Sequence, residues 1–271
     1  MTPEPVDPPI AFRYALKGRV VTMNESFEEI PDGVLYIDGG KIQELKLADA
    51  PKPLGFEDAP LFSTGGTIYP GLIELHNHLS YNILPMWMVP VRFQRREQWK
   101  NHPEKIKFIT APMQVLGKTQ GYVEAIIRYV ECKCLLSGVT TSQGITLANV
   151  GTVDYYKGLV RNVEKTNDVE LPEADTLVDD VQNANDFILK LEDISSRLLL
   201  HLSEAVPGDN VGRGHFTVLM LPSGDWAISE KVAGIHCTAL NAVDFQVLAG
   251  EKGSNIKIGD GRLLQEAIHE R

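Results

Sequence analysis

Tyr69-Pro-Gly-Leu-Ile-Glu-Leu-His-Asn-His78 is a short apolar run that breaks off into two histidines one residue apart. Leu72, Ile73 and Leu75 follow a Pro-Gly pair, and a continuous apolar run of this kind predicts a buried strand covered on both faces. His76 and His78, at i and i+2, project on the same side of such a strand. Two imidazoles leaving one strand end together can hold one divalent metal at about 2.0–2.1 Å each. The other reading of an isolated His-x-His is a chance pair at the end of a core strand, and the surrounding sequence decides between them.

Downstream, the apolar run Leu198-Leu-Leu leads into His201-Leu-Ser-Glu204, and Gly234-Ile leads into His236-Cys-Thr-Ala-Leu240. Both runs predict strands, at Arg197 to Leu202 and Val232 to His236. Between and around them the pattern predicts helices at Pro103 to Leu116 and Gly121 to Leu136, a strand at Gly138 to Ser142, and a helix-to-strand passage from Tyr155 to Asn162. A charged amphipathic helix is expected over Ala174 to Asp193, another helix near His215 to Leu221, and a last one from the N-cap Asn241 to Gly250. Strands alternating with helices predict a parallel sheet with crossover helices, and in this order a (β/α) barrel, whose sites lie at the C-terminal strand ends. The histidine motifs all fall at such ends. Ser80 to His102, with Trp87, Trp99 and the cluster Arg92, Arg95 and Arg96, is a long segment that reads either as a flap over the metal mouth or as a packed surface loop.

Residues 12–68 read differently. Gly33 to Asp38 and Lys41 to Lys46 are β-rich runs around Gly39-Gly40, a hairpin pattern, and Ala50 to Pro60 is a proline-rich loop. A hairpin of this kind cannot stand alone, so a small β-domain is expected here. The whole is an α/β fold: a partial or shortened TIM-like (β/α) barrel over residues 69–271, with a small N-terminal β-sandwich-like domain over 12–68.

At 271 residues and 43% hydrophobic, the chain can bury a large core. Its formal charge of −10 offers no footprint for nucleic acid or an anionic membrane. The proline-rich start MTPEPVDPPI carries no signal pattern and no apolar stretch is long enough to span a bilayer, so a cytoplasmic protein is expected. Cys132, Cys134 and Cys237 are too sparse for a disulfide framework. There is no His-Glu-x-x-His helix, no Pro-Cys-x-x-Cys motif and no Gly-x-Ser-x-Gly elbow, which removes support for three other hydrolytic chemistries.

The run PGLIELHNH resembles the first barrel strand of the amidohydrolase superfamily. His201-Leu-Ser-Glu204 resembles the fifth-strand His-x-x-Glu of its deaminase and chlorohydrolase branch, and His236 the sixth-strand histidine. The resemblance spans roughly Arg19 to Gly250. It implies that His76, His78 and His201 are metal ligands, that Glu204 is a proton shuttle, and that His236 polarises the substrate or orients the attacking water; a histidine that supports a ligand from behind or packs in the core is the other reading of His236. Gly158 to Glu164 contains no lysine at the place of a metal-bridging carboxylated lysine, so the implied site holds one divalent ion. Zinc and ferrous iron both suit the donors, with zinc the first expectation. Such an ion lowers the pKa of a bound water from 15.7 towards about 7 and supplies hydroxide at neutral pH. His102, His215 and His269 are expected at the surface.

The family site also uses an aspartate at the end of the eighth strand. Only 35 residues follow His236, few for two more strand-helix units, so the chain reads as shortened at its C-terminus. Asp260, in Ile256-Lys-Ile-Gly-Asp260, is the local candidate ligand; an ordinary turn aspartate before a terminal helix, Arg262 to Glu270, is its other reading. The expected function is metal-dependent hydrolysis of a non-peptide carbon–nitrogen bond in a small cyclic or aminated substrate. The alternative is a catalytically inactive remnant that retains metal binding. Gln143 and Arg161 are candidate pocket residues. Partners other than a small-molecule substrate are not expected, save a homo-oligomer, which an unclosed sheet favours.

Overall fold

The computed structural model describes residues 12–145, 158–164 and 173–250. The chain divides into two compact units, Met1–Gly71 and Leu72–Arg271.

The first unit holds four strands: β1 (Tyr14–Val21), β2 (Glu29–Asp38), β3 (Lys41–Leu47) and β4 (Leu61–Ile68), in the order β3-β2-β1-β4. The hairpin between β2 and β3 turns on Gly39 and Gly40, at φ 59° and 77°. Left-handed backbone at both positions costs glycine little, which is why the turn is sited there. One face of the sheet buries Ala15, Val34 and Tyr36 against Phe56, which the proline-rich loop supplies. The Tyr36 and Phe56 rings meet edge to face at 5.3 Å. Among the described residues this unit is one sheet covered by a loop; the second sheet of the expected sandwich is not found there.

The second unit is a mixed α/β body with two three-stranded parallel sheets. One contains β5 (Leu72–Glu74), β6 (Val139–Ser142) and β7 (Arg161–Asn162); the other contains β8 (Ala174–Leu177), β9 (Arg197–Leu202) and β10 (Val232–His236), in the order β10-β9-β8. The helices are α1 (Arg96–Lys100), α2 (Pro103–Lys105), α3 (Ala111–Lys118), α4 (Tyr122–Leu136), α5 (Ala184–Asp193), α6 (Asn210–Thr217) and α7 (Ala242–Leu248). A π-turn over Ile106–Thr110 joins α2 to α3. Immediately after β7, the Val163 carbonyl accepts the Ala174 N–H at 2.8 Å, so the two sheets meet there. The strands do not close into a barrel among the described residues.

Side-chain alternation on β9 sets up the site. Leu198, Leu200 and Leu202 are buried with Phe187 and Leu191 of α5 and Phe216 of α6, each contributing roughly 1.5–3 kcal/mol by burial. His201 therefore points to the opposite face. On α4, Val123, Ile127, Val130 and Cys134 recur at helical spacing and bury against Leu79, Ile145 and Val160. Cys132 is exposed, and all three cysteines are free.

Several expectations are corrected. Ala174 to Asp193 is not one helix: Ala174–Leu177 pairs with Arg197 to Leu200, and the helix begins only after Asn183, whose side chain accepts the Asp186 N–H at 2.8 Å. Pairing with a buried neighbour overrides the helical pattern of 174–177. The helix near 215–221 lies earlier, at Asn210–Thr217, because Asp209 caps it through the Gly212 N–H. β5 is not a strand buried on both faces. It is three residues long at the edge of its sheet, and Leu72 and Ile73 are 61% and 63% exposed.

Candidate metal centre

β5 ends two residues before His76, and His76 and His78 follow it without a regular strand. Behind them, Gly144 stands at φ 72°, where an added Cβ would lie 1.9 Å from the Asn77 carbonyl oxygen. Only glycine lets the Ser142 to Gly144 backbone come so close to the histidine pair.

His76, His78 and His201 converge, each offering a nitrogen, with the three ligand atoms all within 4.8 Å of one another. Ring centroids lie 5.0 Å apart for His76 and His78, 4.8 Å for His76 and His201, and 5.6 Å for His78 and His201. His201 is 4% exposed, and neither of its ring nitrogens has a hydrogen-bond partner of acceptable geometry. A buried ring nitrogen without a partner, facing two more imidazoles, is what a cation with nitrogen ligands requires, so the donor set fits zinc or ferrous iron.

His236 joins the group with its ring 5.3 Å from His76 and 5.4 Å from His201. In the parallel register it stands opposite Leu202, which faces the helices. Regular strand geometry would send His236 the same way. Its φ of 68°, followed by 54° at Cys237, breaks that alternation and turns the ring to the histidines. Such backbone stores about 1–3 kcal/mol per residue. The Glu204 carboxylate lies 3.5 Å from the His236 Nε2. Asp260, named above as a possible ligand, lies outside the described residues, as do His269 and the expected helix over 262–270.

The electrostatics disfavour the charged forms of His78, His201 and His236. Burial, reinforced by His76, His236 and His78, pushes His201 down to about 3, a drop that the nearby Leu177 carbonyl offsets only in part. Burial followed by His76 and His78 takes His236 to about 4. Burial and then His76 lower His78 as well. Burial raises the Glu204 carboxyl above its ordinary value, with Arg96 opposing and Glu97 and Asp180 reinforcing. In the metal-free chain the unfolded state binds more protons than the folded one between these low values and the ordinary histidine value of 6.5. The contribution of His201 and His236 to stability should therefore be full above about 6.5 and fall as the pH drops below it, with the raised Glu204 carboxyl acting in the opposite sense. Thermal melts between pH 7 and pH 5 should show a falling midpoint that is less steep in His236→Asn; a flat midpoint in the parent chain would contradict this charge distribution.

The long segment after His78 is docked at its end. The Arg96 N–H donates to the Glu204 carbonyl at 3.1 Å and the Val206 N–H to the Gln94 carbonyl at 2.7 Å, around a bridge between Arg95 and Ala205. The buried Arg96 guanidinium donates to the Val178 carbonyl and to Asp180, at 2.7 and 2.5 Å. Arg95 pairs with Asp209 at 3.0 Å. Glu97, Asp180 and His215 also gather within 4.8 Å, but Arg96 and Arg95 already pair with the two acids, making an ion-pair web. His215, between Glu97 and Asp180, and His102, which accepts the Glu104 N–H, are half-buried and not the surface residues expected. Gln143 is 1% exposed and bonded to His76, so it does not line an open pocket; Arg161 is exposed on β7. The bonds of Gln143 to Glu164 and Thr176, and the clasp of Arg96 on Glu204, had no sequence signal, because each joins residues far apart in the chain.

No family model matches the chain, and no curated protein matches it. Solved structures do. A triazine hydrolase from Arthrobacter aurescens, modified for expression in E. coli, is similar at 18% identity and TM-score 0.57, over 83% of this chain and 60% of that one. E. coli guanine deaminase is similar at 15% identity and TM-score 0.59, over 89% and 65%. A mutant atrazine chlorohydrolase from Arthrobacter aurescens, complexed with zinc and atraton, is similar at 19% identity and TM-score 0.52, over 87% and 62%. The chain thus spans about 60–65% of the length of these enzymes. At 15–19% identity the likeness is one of fold. No helix among the described residues is long and apolar enough to cross a membrane.

Proposed function

We propose that this chain is a metal-dependent hydrolase of a non-peptide carbon–nitrogen bond, deaminase-like, acting on a small cyclic or aminated substrate. The observation that carries the reading is the convergence of His76, His78 and His201 within 4.8 Å beside a Glu204 carboxyl 3.5 Å from His236. The three histidines hold the ion, zinc before iron. Bound there, a divalent ion supplies Lewis acidity and brings water towards ionisation at neutral pH.

The remaining chemistry belongs to side chains. Attack of water on a carbon bearing nitrogen creates a tetrahedral centre, and the nitrogen leaves only once protonated. Glu204 takes the proton from the attacking water and hands it to the departing nitrogen. Its raised pKa suits that exchange, because a carboxyl that holds its proton more readily is a better acid near neutral pH. His236, neutral at that pH, stands with its Nε2 3.5 Å from the Glu204 carboxyl and presents an imidazole edge to the substrate. The clasp of Arg96 on the Glu204 backbone holds the shuttle at the mouth of the site.

Zinc-loaded chain should release ammonia from at least one member of a panel of aminated heterocycles, and dipicolinate should stop the release. Stoichiometric zinc with no release from any of the panel, and none of chloride from chlorinated analogues, would remove the carbon–nitrogen reading while leaving the metal centre.

A further inference from the structure

His76 is held from behind. Its Nδ1 lies 2.5 Å from the Gln143 Oε1, and the Gln143 amide has no freedom to turn over. Its Nε2 lies 3.0 Å from the Thr176 Oγ1 and 3.3 Å from the Glu164 Oε1. The Thr176 hydroxyl donates its proton to Glu164 at 2.8 Å, so it meets Gln143 as an acceptor. The other Glu164 oxygen accepts the Gly144 N–H at 2.9 Å. A carboxylate collecting three donors is acceptor-only. The NH₂ group of Gln143 must face Thr176 and Glu164, its oxygen must face His76, and the His76 Nδ1 must carry the hydrogen.

We propose that Gln143 is a positioning residue that holds His76 as its Nδ1–H tautomer. Glu164 and Thr176, by orienting the Gln143 amide, decide which nitrogen His76 offers to a metal. A neutral imidazole protonated at Nδ1 has its lone pair on Nε2, the free edge of the ring. The chain supplies the parts from three strand ends: Gln143 follows β6, Glu164 follows β7, and Thr176 lies on β8. Gly144 brings the β6 end against the backbone of Asn77 and His78, as its absent Cβ shows. Partners behind a ligand of this kind raise its basicity, and their loss typically weakens metal binding roughly 10–100-fold. The proposal rests on the metal-centre reading for its metal half only; the tautomer is a property of the chain itself.

The test is made on the full chain labelled with ¹⁵N-histidine, metal-free, at pH 8, with the His76 signals assigned by their absence from His76→Asn. Long-range ¹H–¹⁵N spectra should show His76 protonated at Nδ1. Gln143→Met, which keeps the volume and removes the acceptor, should shift His76 towards the Nε2–H form and weaken zinc roughly 10–100-fold in chelator competition, with an unchanged circular dichroism spectrum. Should Gln143→Met fail to fold, Glu164→Gln, which does not touch His76, should still give a mixed tautomer. An Nε2–H His76 in the parent chain, or a tautomer that neither variant moves, would overturn the proposal. Absence of zinc binding in a parent chain whose His76 is Nδ1–H would overturn the metal-centre reading and leave the role of Gln143 in setting the tautomer standing.

Discussion

His201→Ala is expected to abolish stoichiometric metal binding, with an affinity loss well beyond the roughly 100-fold that removal of an outer partner can cause. His201 is the most buried of the three histidines, and neither of its nitrogens has a hydrogen-bond partner of acceptable geometry. Removing it takes away the ligand that β9 contributes and leaves a pair from one strand end, which cannot enclose an ion. The metal-free variant should nonetheless fold. Leaving a buried polar group unpaired costs roughly 1–3 kcal/mol, so deleting two such nitrogens offsets much of the packing lost with the ring. Elemental analysis beside a thermal melt checks both halves. Full metal content in His201→Ala would mean that the ion sits elsewhere, and unfolding of the metal-free variant would mean that His201 serves the core.

Glu204→Gln is expected to reduce turnover by roughly 10²–10⁴-fold while metal content stays that of the parent. The amide keeps the size of the side chain and its place beside His236, but it cannot accept the proton of water and pass it to a leaving nitrogen. Retained metal with lost turnover separates a proton carrier from a ligand. Loss of metal in Glu204→Gln would make Glu204 a ligand, and unchanged turnover would return it to a solvated glutamate after a strand.

The parts of this site that could be read in the sequence are those governed by short-range rules. An apolar run ending in histidine marks a strand end, and the parallel α/β order puts such ends on one side of the sheet. His76, His78, His201 and His236 accordingly gather in one place. What escaped depends on neighbours far along the chain. Ala174–Leu177 takes strand form only because β9 is there to pair with it. The ring of His236 reaches the cluster through left-handed backbone that no residue type announces. Gln143, Glu164 and Thr176 meet across three strand ends, and nothing in any one of those stretches marks it as support for a histidine. Leu72 and Ile73 have the composition of a doubly covered strand, yet lie exposed at a sheet edge, because composition does not report how many neighbours a strand acquires.

Zinc K-edge X-ray absorption on the zinc-loaded chain tests the three-histidine centre most directly. A nitrogen and oxygen shell at about 2.0–2.1 Å, with the outer scattering of imidazole rings, is the predicted spectrum, and His201→Ala should retain no stoichiometric zinc to give one. A sulfur shell at about 2.3 Å, or a spectrum without imidazole scattering, would place the metal on other residues and contradict the centre formed by His76, His78 and His201.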